Sequence, residues 1–126
     1  MKIKTNELTP NQLDWLVATI HGYRLTTDGI QKLLEKGKEL LILGPHNSHL
    51  HYSPTTDWAQ GGPIIERELI TVIAHFDFPD WTAWTPAPEC EDGEAHGIGP
   101  TPLIAAMRCY VASKLGDEVE VPEELK

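Results

Sequence analysis

The chain has 126 residues and a net charge of −9, with ten Lys or Arg set against nineteen Asp or Glu. That length fits a single domain over 1–126 with one modest core, and the acidic balance argues against a nucleic-acid partner, because non-specific binding needs a basic face. No run approaches the ~20 apolar residues of a membrane helix, the opening MKIKTNELTP has no apolar signal segment, and the two cysteines, Cys90 and Cys109, lack metal or redox spacing, so a protein of the cell interior with reduced thiols is expected.

Residues 8–22, LTPNQLDWLVATIHG, predict the first helix. Thr9 is a natural N-cap with Pro10 at the first helical position. Gln12 completes a capping box, and Gly22 stops the helix. Leu13, Leu16, Val17 and Ile20 share one buried face, with Trp15 at its edge. A second, shorter helix is expected from about Asp28 to Lys36, capped by Thr27 and ended by Gly37. ELLILG (39–44) reads as a buried strand and HLHYS (49–53) as its return partner. ELITVIAHF (68–76) alternates, with Ile70, Val72, Ala74 and Phe76 on one face, and WTAWT (81–85) pairs back on it. The acidic stretch 86–100 has no periodicity and is expected to be a mobile surface loop. Residues 101–116 predict the last helix, capped by Thr101, opened by Pro102 and closed by Gly116. It is apolar almost all round except for Arg108, which must reach water or a carboxylate; Glu66 is the expected partner. The acidic tail 117–126 is expected to be extended or frayed. Together these elements give an α+β fold: a small antiparallel sheet of about four strands packed against the first and last helices.

Three groups of residues offer chemistry. HNSHLHY brings His46, His49 and His51 together, with Asp57 or His75 as further donors, but no metal motif surrounds them and no metal or cofactor is expected. Nucleophilic catalysis has little support: Cys109 sits in an apolar helix where a thiol is inert, no nucleophile elbow is present, and Asp57 with Glu66 is an acid–base pair by residue type alone. The third group is SPTTDWAQGGPIIERE (53–68), a shaped turn opening a short helix. Its amides can face an anion, its glycines permit close approach, Trp58 can fill the core or stack on a planar ligand, and Arg67 can pair with Asp57.

YSPTTDWAQGGPIIERE, DWTAW and GPTPLIAAMRCYVASKLGDEVEVPEEL together resemble the NinX family of lambdoid-phage proteins. The likeness covers 52–125 closely and extends to the opening MKIKTNELTPNQLDWLVA. It implies a small accessory protein made inside an infected bacterium, in the host cytoplasm. It implies no catalytic residues, since no molecular activity comes with the family. The shared words place Asp57, Trp58, Gln60, Gly61, Gly62, Glu66 and Arg67 in one segment, Trp84 in a second, and Thr101 and Arg108 in a third. These ten residues form the expected ligand site. The expected function is non-enzymatic binding of a small nucleotide-like ligand, in the service of counter-defence. The alternative is a protein–protein module that inhibits a host or phage enzyme through its acidic surface, with a metal-dependent hydrolase third. A homo-oligomer and a host or phage protein partner stay open.

Overall fold

The first helix, α1 (Pro10–Ile20), begins where its caps require it. Gln12 N donates to Thr9 Oγ1 at 3.3 Å, and Thr9 N donates to Gln12 Oε1 at 2.9 Å. Its buried face, Leu13, Leu16 and Val17, packs against α3 (Pro102–Leu115). Thr101 caps α3 by accepting from Ile104 N at 3.1 Å, and Gly116 closes it at φ 92°. The computed structural model describes residues 2–75 and 77–125. The whole is α+β, with three helices and nine strands among those residues.

The strands form three sheets rather than one. The three-stranded sheet β6 (Thr71–Ala74), β7 (Trp81–Pro86) and β8 (Glu94–Gly99) is antiparallel throughout, with Trp84 opposite both Thr71 and His96. It lies over α3, with Ala83, Thr85 and Ala95 buried beneath it. Val72 packs on the core, whereas Ala74 is exposed and Phe76, expected on the same face, lies outside the described residues. Four strands make a second sheet: β2 (Arg24–Thr27), β3 (Lys32–Lys36), β4 (Glu39–Leu43) and β5 (His51–Tyr52). A short ribbon pairs β1 (Lys2–Lys4) with β9 (Glu118–Glu120). The remaining helix, α2 (Trp58–Arg67), sits beside α3 with Ile64 in the core.

Several expectations change here. The stretch 28–36 is the turn and second strand of a hairpin, β2 to β3, not a helix. Only seven residues separate Gly29 from Gly37, too few for a stable helix without strong packing. Asp28 instead accepts from Ile30 N and Gln31 N, both at 2.9 Å, closing a turn with Gly29 at φ 93°. The 49–53 segment contributes only two paired residues, and they run parallel to β4. The stretch 86–100 is not a free loop, because its second half is β8, pressed on α3. A Cβ on Gly97 would overlap the Ala105 carbonyl, and one on Gly99 would lie 2.7 Å from Ile104 Cγ2. The tail is held as well: Val119 and Val121 are buried, and Gln12 Nε2 donates to the Leu125 carbonyl at 3.0 Å.

Candidate functional site

The segment 51–62 is fixed by its own side chains. Asp57 caps α2, accepting from Ala59 N through Oδ1 at 2.9 Å, while its Oδ2 meets His51 Nε2 at 3.0 Å. His51 Nδ1 faces the Ser48 carbonyl at 2.9 Å, so both ring nitrogens point at acceptors. Gln60 clamps the preceding backbone, accepting from Ser53 N at 2.6 Å and donating to the His51 carbonyl at 2.9 Å. A Cβ on Gly61 would come within 2.5 Å of the Pro54 carbonyl and 2.6 Å of Leu103, so glycine is what lets α2 approach that turn and α3. Beneath the turn, the fully buried Asp14 accepts from Thr55 N at 3.0 Å and Thr55 Oγ1 at 3.1 Å. Burial raises its carboxyl to about 7, against the opposing bonds from Thr55 and Ser53.

Trp58 has no such structural employment. It is 56% exposed and walls a cleft of about 250 Å³ with Thr55, Thr56, Thr101, Leu103 and Ile104. Trp58 opens α2 and Pro102 opens α3, so the two helix N-termini flank this cleft. Gly62 lies under the Trp58 ring, where a Cβ would sit 3.9 Å from Cε3. Of the ten expected residues, then, the fold puts Trp58 and Thr101 in the cleft, while Asp57, Gln60, Gly61 and Gly62 do not line it and instead shape the turn and helix that carry Trp58.

The others lie apart. Trp84 is on β7, on the side away from buried Ala83, beside exposed Ile73 and Ile98. Glu66 is exposed, and the expected pair with Arg108 does not form. Arg108 instead donates from Nη1 to the Ile98 carbonyl at 2.7 Å and from Nη2 to the Leu8 carbonyl at 2.8 Å. It thereby staples the entry of α1 to β8, its planar fork reaching two carbonyls at once. Arg67 does not meet Asp57; it stands at the opposite end of α2, donating from Nε to Glu68 Oε2 at 3.1 Å and from Nη2 to His21 Nε2 at 3.3 Å.

That far end holds a cluster the sequence did not reveal. His21, the C-cap of α1, receives Tyr110 Oη at Nε2 at 3.1 Å, and its Nδ1 meets Tyr52 Oη at 3.4 Å. Because Arg67 is always a donor, Nε2 accepts and Nδ1 carries the proton towards Tyr52. Burial, then the charges of Arg67 and Lys36, lower the His21 pKa, with Glu68 opposing. Lys36 Nζ donates to the His21 carbonyl at 2.9 Å, and Lys114 Nζ lies 3.2 Å from Glu68 Oε1. The available signal was Tyr110: a polar tip in an otherwise apolar helix needs a partner.

The histidines at 46–51 do not converge. His46 Nδ1 accepts from Ser48 N at 3.1 Å, and His51 is taken by Asp57. His75 bonds Thr82 at 2.6 Å on the three-stranded sheet. Among the described residues, the metal-type donors that do lie within 4.8 Å of one another are Asp92, Glu94 and His96, all exposed. Cys109 is buried, and its thiol is pushed up to about 12, so it is no nucleophile.

A family model described as "Bacteriophage P22, NinX" matches residues 4–114. A crystal structure of a phage protein from Bacillus cereus ATCC 14579 has the same fold, with a TM-score of 0.61 at 17% identity over 88% of this chain and 92% of that one. At that identity the likeness extends to fold and not to activity. A search of curated proteins finds no match.

Proposed function

The chain belongs to the Bacteriophage P22 NinX family, and from that premise we propose that it works as a phage accessory protein by binding a small nucleotide-like ligand rather than by catalysis. The observation that carries this reading is Trp58, a large aromatic side chain left 56% exposed over a cleft at two helix N-termini. An exposed ring offers a stacking face for a planar base, and helix N-termini favour the phosphate attached to it. The net charge of −9 opposes an anion at long range, but screening confines that field to roughly 8 Å at physiological salt. Nucleotide signals of host defence are the ligands to try first, which would make the protein a counter-defence sponge.

The test is tryptophan fluorescence with calorimetry against cyclic dinucleotides and ADP-ribose derivatives. Saturable quenching that disappears in Trp58→Ala is expected. If no panel member quenches the parent, the ligand reading falls. A second reading, a protein-binding module, is favoured by the outer face of β6–β8, where Ile73 and Ile98 are 45% and 47% exposed beside Trp84. It gains the stronger claim if an Ile73→Glu, Ile98→Glu variant loses the protein's effect in infected cells while Trp58→Ala keeps it.

A further inference from the structure

The grouping around His21 has an electrostatic oddity. The protein has ten Lys and Arg in all, set against nineteen acids. Three of those ten gather in one cluster: Lys36 and Arg67 lie against His21, Lys114 joins through Glu68 and the Tyr110 ring, and Glu68 is the acid paired with them. Structural duty explains part of this. Lys36 caps the end of α1, Arg67 lies in the last turn of α2 and Lys114 in the last turn of α3, where cations complement helix dipoles. It does not explain why an arginine side chain is aimed at a histidine ring whose other contacts are two tyrosine hydroxyls. Three cations set against the one carboxylate of Glu68 leave a positive surplus beside a group that can itself become a cation, and a further anion would offset it.

We propose that the end of α2 marked by His21, Tyr110, Arg67 and Lys114 binds a small oxyanion, the phosphate or carboxylate group of a small molecule. Arg67 and Lys114 keep 54% and 43% of their side-chain surface exposed, so an incoming anion can reach both. Glu68 shows the geometry the site accepts: one of its oxygens meets Arg67 at 3.1 Å and the other meets Lys114 at 3.2 Å. A phosphate or carboxylate with the same spread of oxygens can share or take over these donors. Next to Glu68 and Lys114 lies a cleft of about 250 Å³ that also includes Thr85, Ser113 and the acidic Glu89, leaving room for the uncharged body of a ligand. The groups facing His21 are Tyr52 from β5, Tyr110 from α3, Arg67 and Glu68 from the end of α2, and Lys36 from β3. All but Glu68 and the neutral hydroxyls repel a proton on the ring. An added anion reverses that balance, so binding and protonation of His21 reinforce one another.

This site is nine residues along α2 from Trp58, about 14 Å at the helical rise, so its success or failure is separate from that of the Trp58 cleft. The experiment is NMR titration of the 15N-labelled protein with inorganic phosphate, then acetate, at constant ionic strength held with chloride. Saturable shifts at His21 and Arg67 are expected for one or both oxyanions, with Trp58 unmoved. The His21 titration midpoint should rise when the oxyanion is present, and apparent affinity should strengthen as pH falls through that midpoint. Arg67→Met should weaken binding at least tenfold; should that variant fail to fold, Lys114→Met, on a different helix, reads the same loss. Shifts that grow linearly with salt of any kind, or a folded variant that binds like the parent, would overturn the proposal.

Discussion

Asp14 has no solvent contact, and burial pushes its carboxyl up to about 7 from the ordinary aspartate value of 3.8. The native state therefore holds this proton more tightly than the unfolded chain does. The stability it contributes is complete below about pH 4, declines as pH rises, and is gone above about pH 7, a change on the order of 4 kcal/mol at most. Chemical denaturation of the parent and Asp14→Asn between pH 4.5 and 7.5 checks this. The parent should lose stability relative to the variant as pH rises, and parallel curves would show that Asp14 does not carry the effect. Arg108 offers a second test at this scale. Its two bonds to carbonyl oxygens are charge-assisted and worth roughly 1.5–3 kcal/mol each before non-additivity. Arg108→Met should lower unfolding free energy by about 2–4 kcal/mol, whereas Glu66→Ala should stay within about 0.5 kcal/mol because the side chain is exposed. Sequence could say that Arg108 needed an acceptor; it could not say that the acceptors were backbone, since Leu8 and Ile98 are 100 and 10 residues away. The same limit hid His21, whose partners come from β5, α2 and α3.

At the scale of elements, the first and last helices were legible because their ends are written locally, in Thr9-Pro10-Gln12 and Thr101-Pro102 with Gly116. Strands depend on partners elsewhere, and there the reading failed in two instructive ways. Lys32–Lys36 carries good helix formers, yet pairing of Leu25 with Leu34 and Leu33 with Ile42 makes it the centre of a sheet. In the sequence β8 looks like a loop because its buried residues are small: Ala95, Gly97 and Gly99 alternate with Glu94, His96 and Ile98. A period of two was present, but in size rather than hydrophobicity, since the strand lies close against the backbone of α3. Gly97→Ala tests that account. Its methyl would meet the Ala105 carbonyl and the Cys109 amide, both backbone atoms that cannot swing away. Thermal or urea unfolding should show a loss of at least about 2 kcal/mol, while Glu91→Ala in the exposed turn before β8 should leave the transition unchanged. A Gly97→Ala protein as stable as the parent would mean that β8 stands off α3.

The cleft at Trp58, the His21 cluster and the sheet face all depend on how the chain's two ends close around α3. Leu8 and α1 pack on the same core cluster as Val119 and Val121, and β1 finds its only strand partner among the described residues in β9. Thr5 adds a bond from its Oγ1 to the Gly116 carbonyl at 2.8 Å and from its amide to the Asp117 carbonyl at 2.8 Å. The family match stops at residue 114, and composition alone made 117–126 read as an acidic tail, because four of its ten residues are glutamate and one is aspartate. Its two valines occupy alternate positions, which is what a short strand with one buried face needs. Removing everything after Gly116 would expose the apolar surface now covered by Val119 and Val121, each worth roughly 1.5–3 kcal/mol when fully buried, and would strip β1 of its ladder. The truncated protein should unfold at least about 3 kcal/mol more readily than the parent, with Val121→Asp in the full chain giving a loss in the same direction. Circular dichroism melts of the three proteins decide it. If truncation leaves the melting temperature where it was, the ribbon of β1 and β9 is an ornament on a core that α1, α3 and β6–β8 hold by themselves.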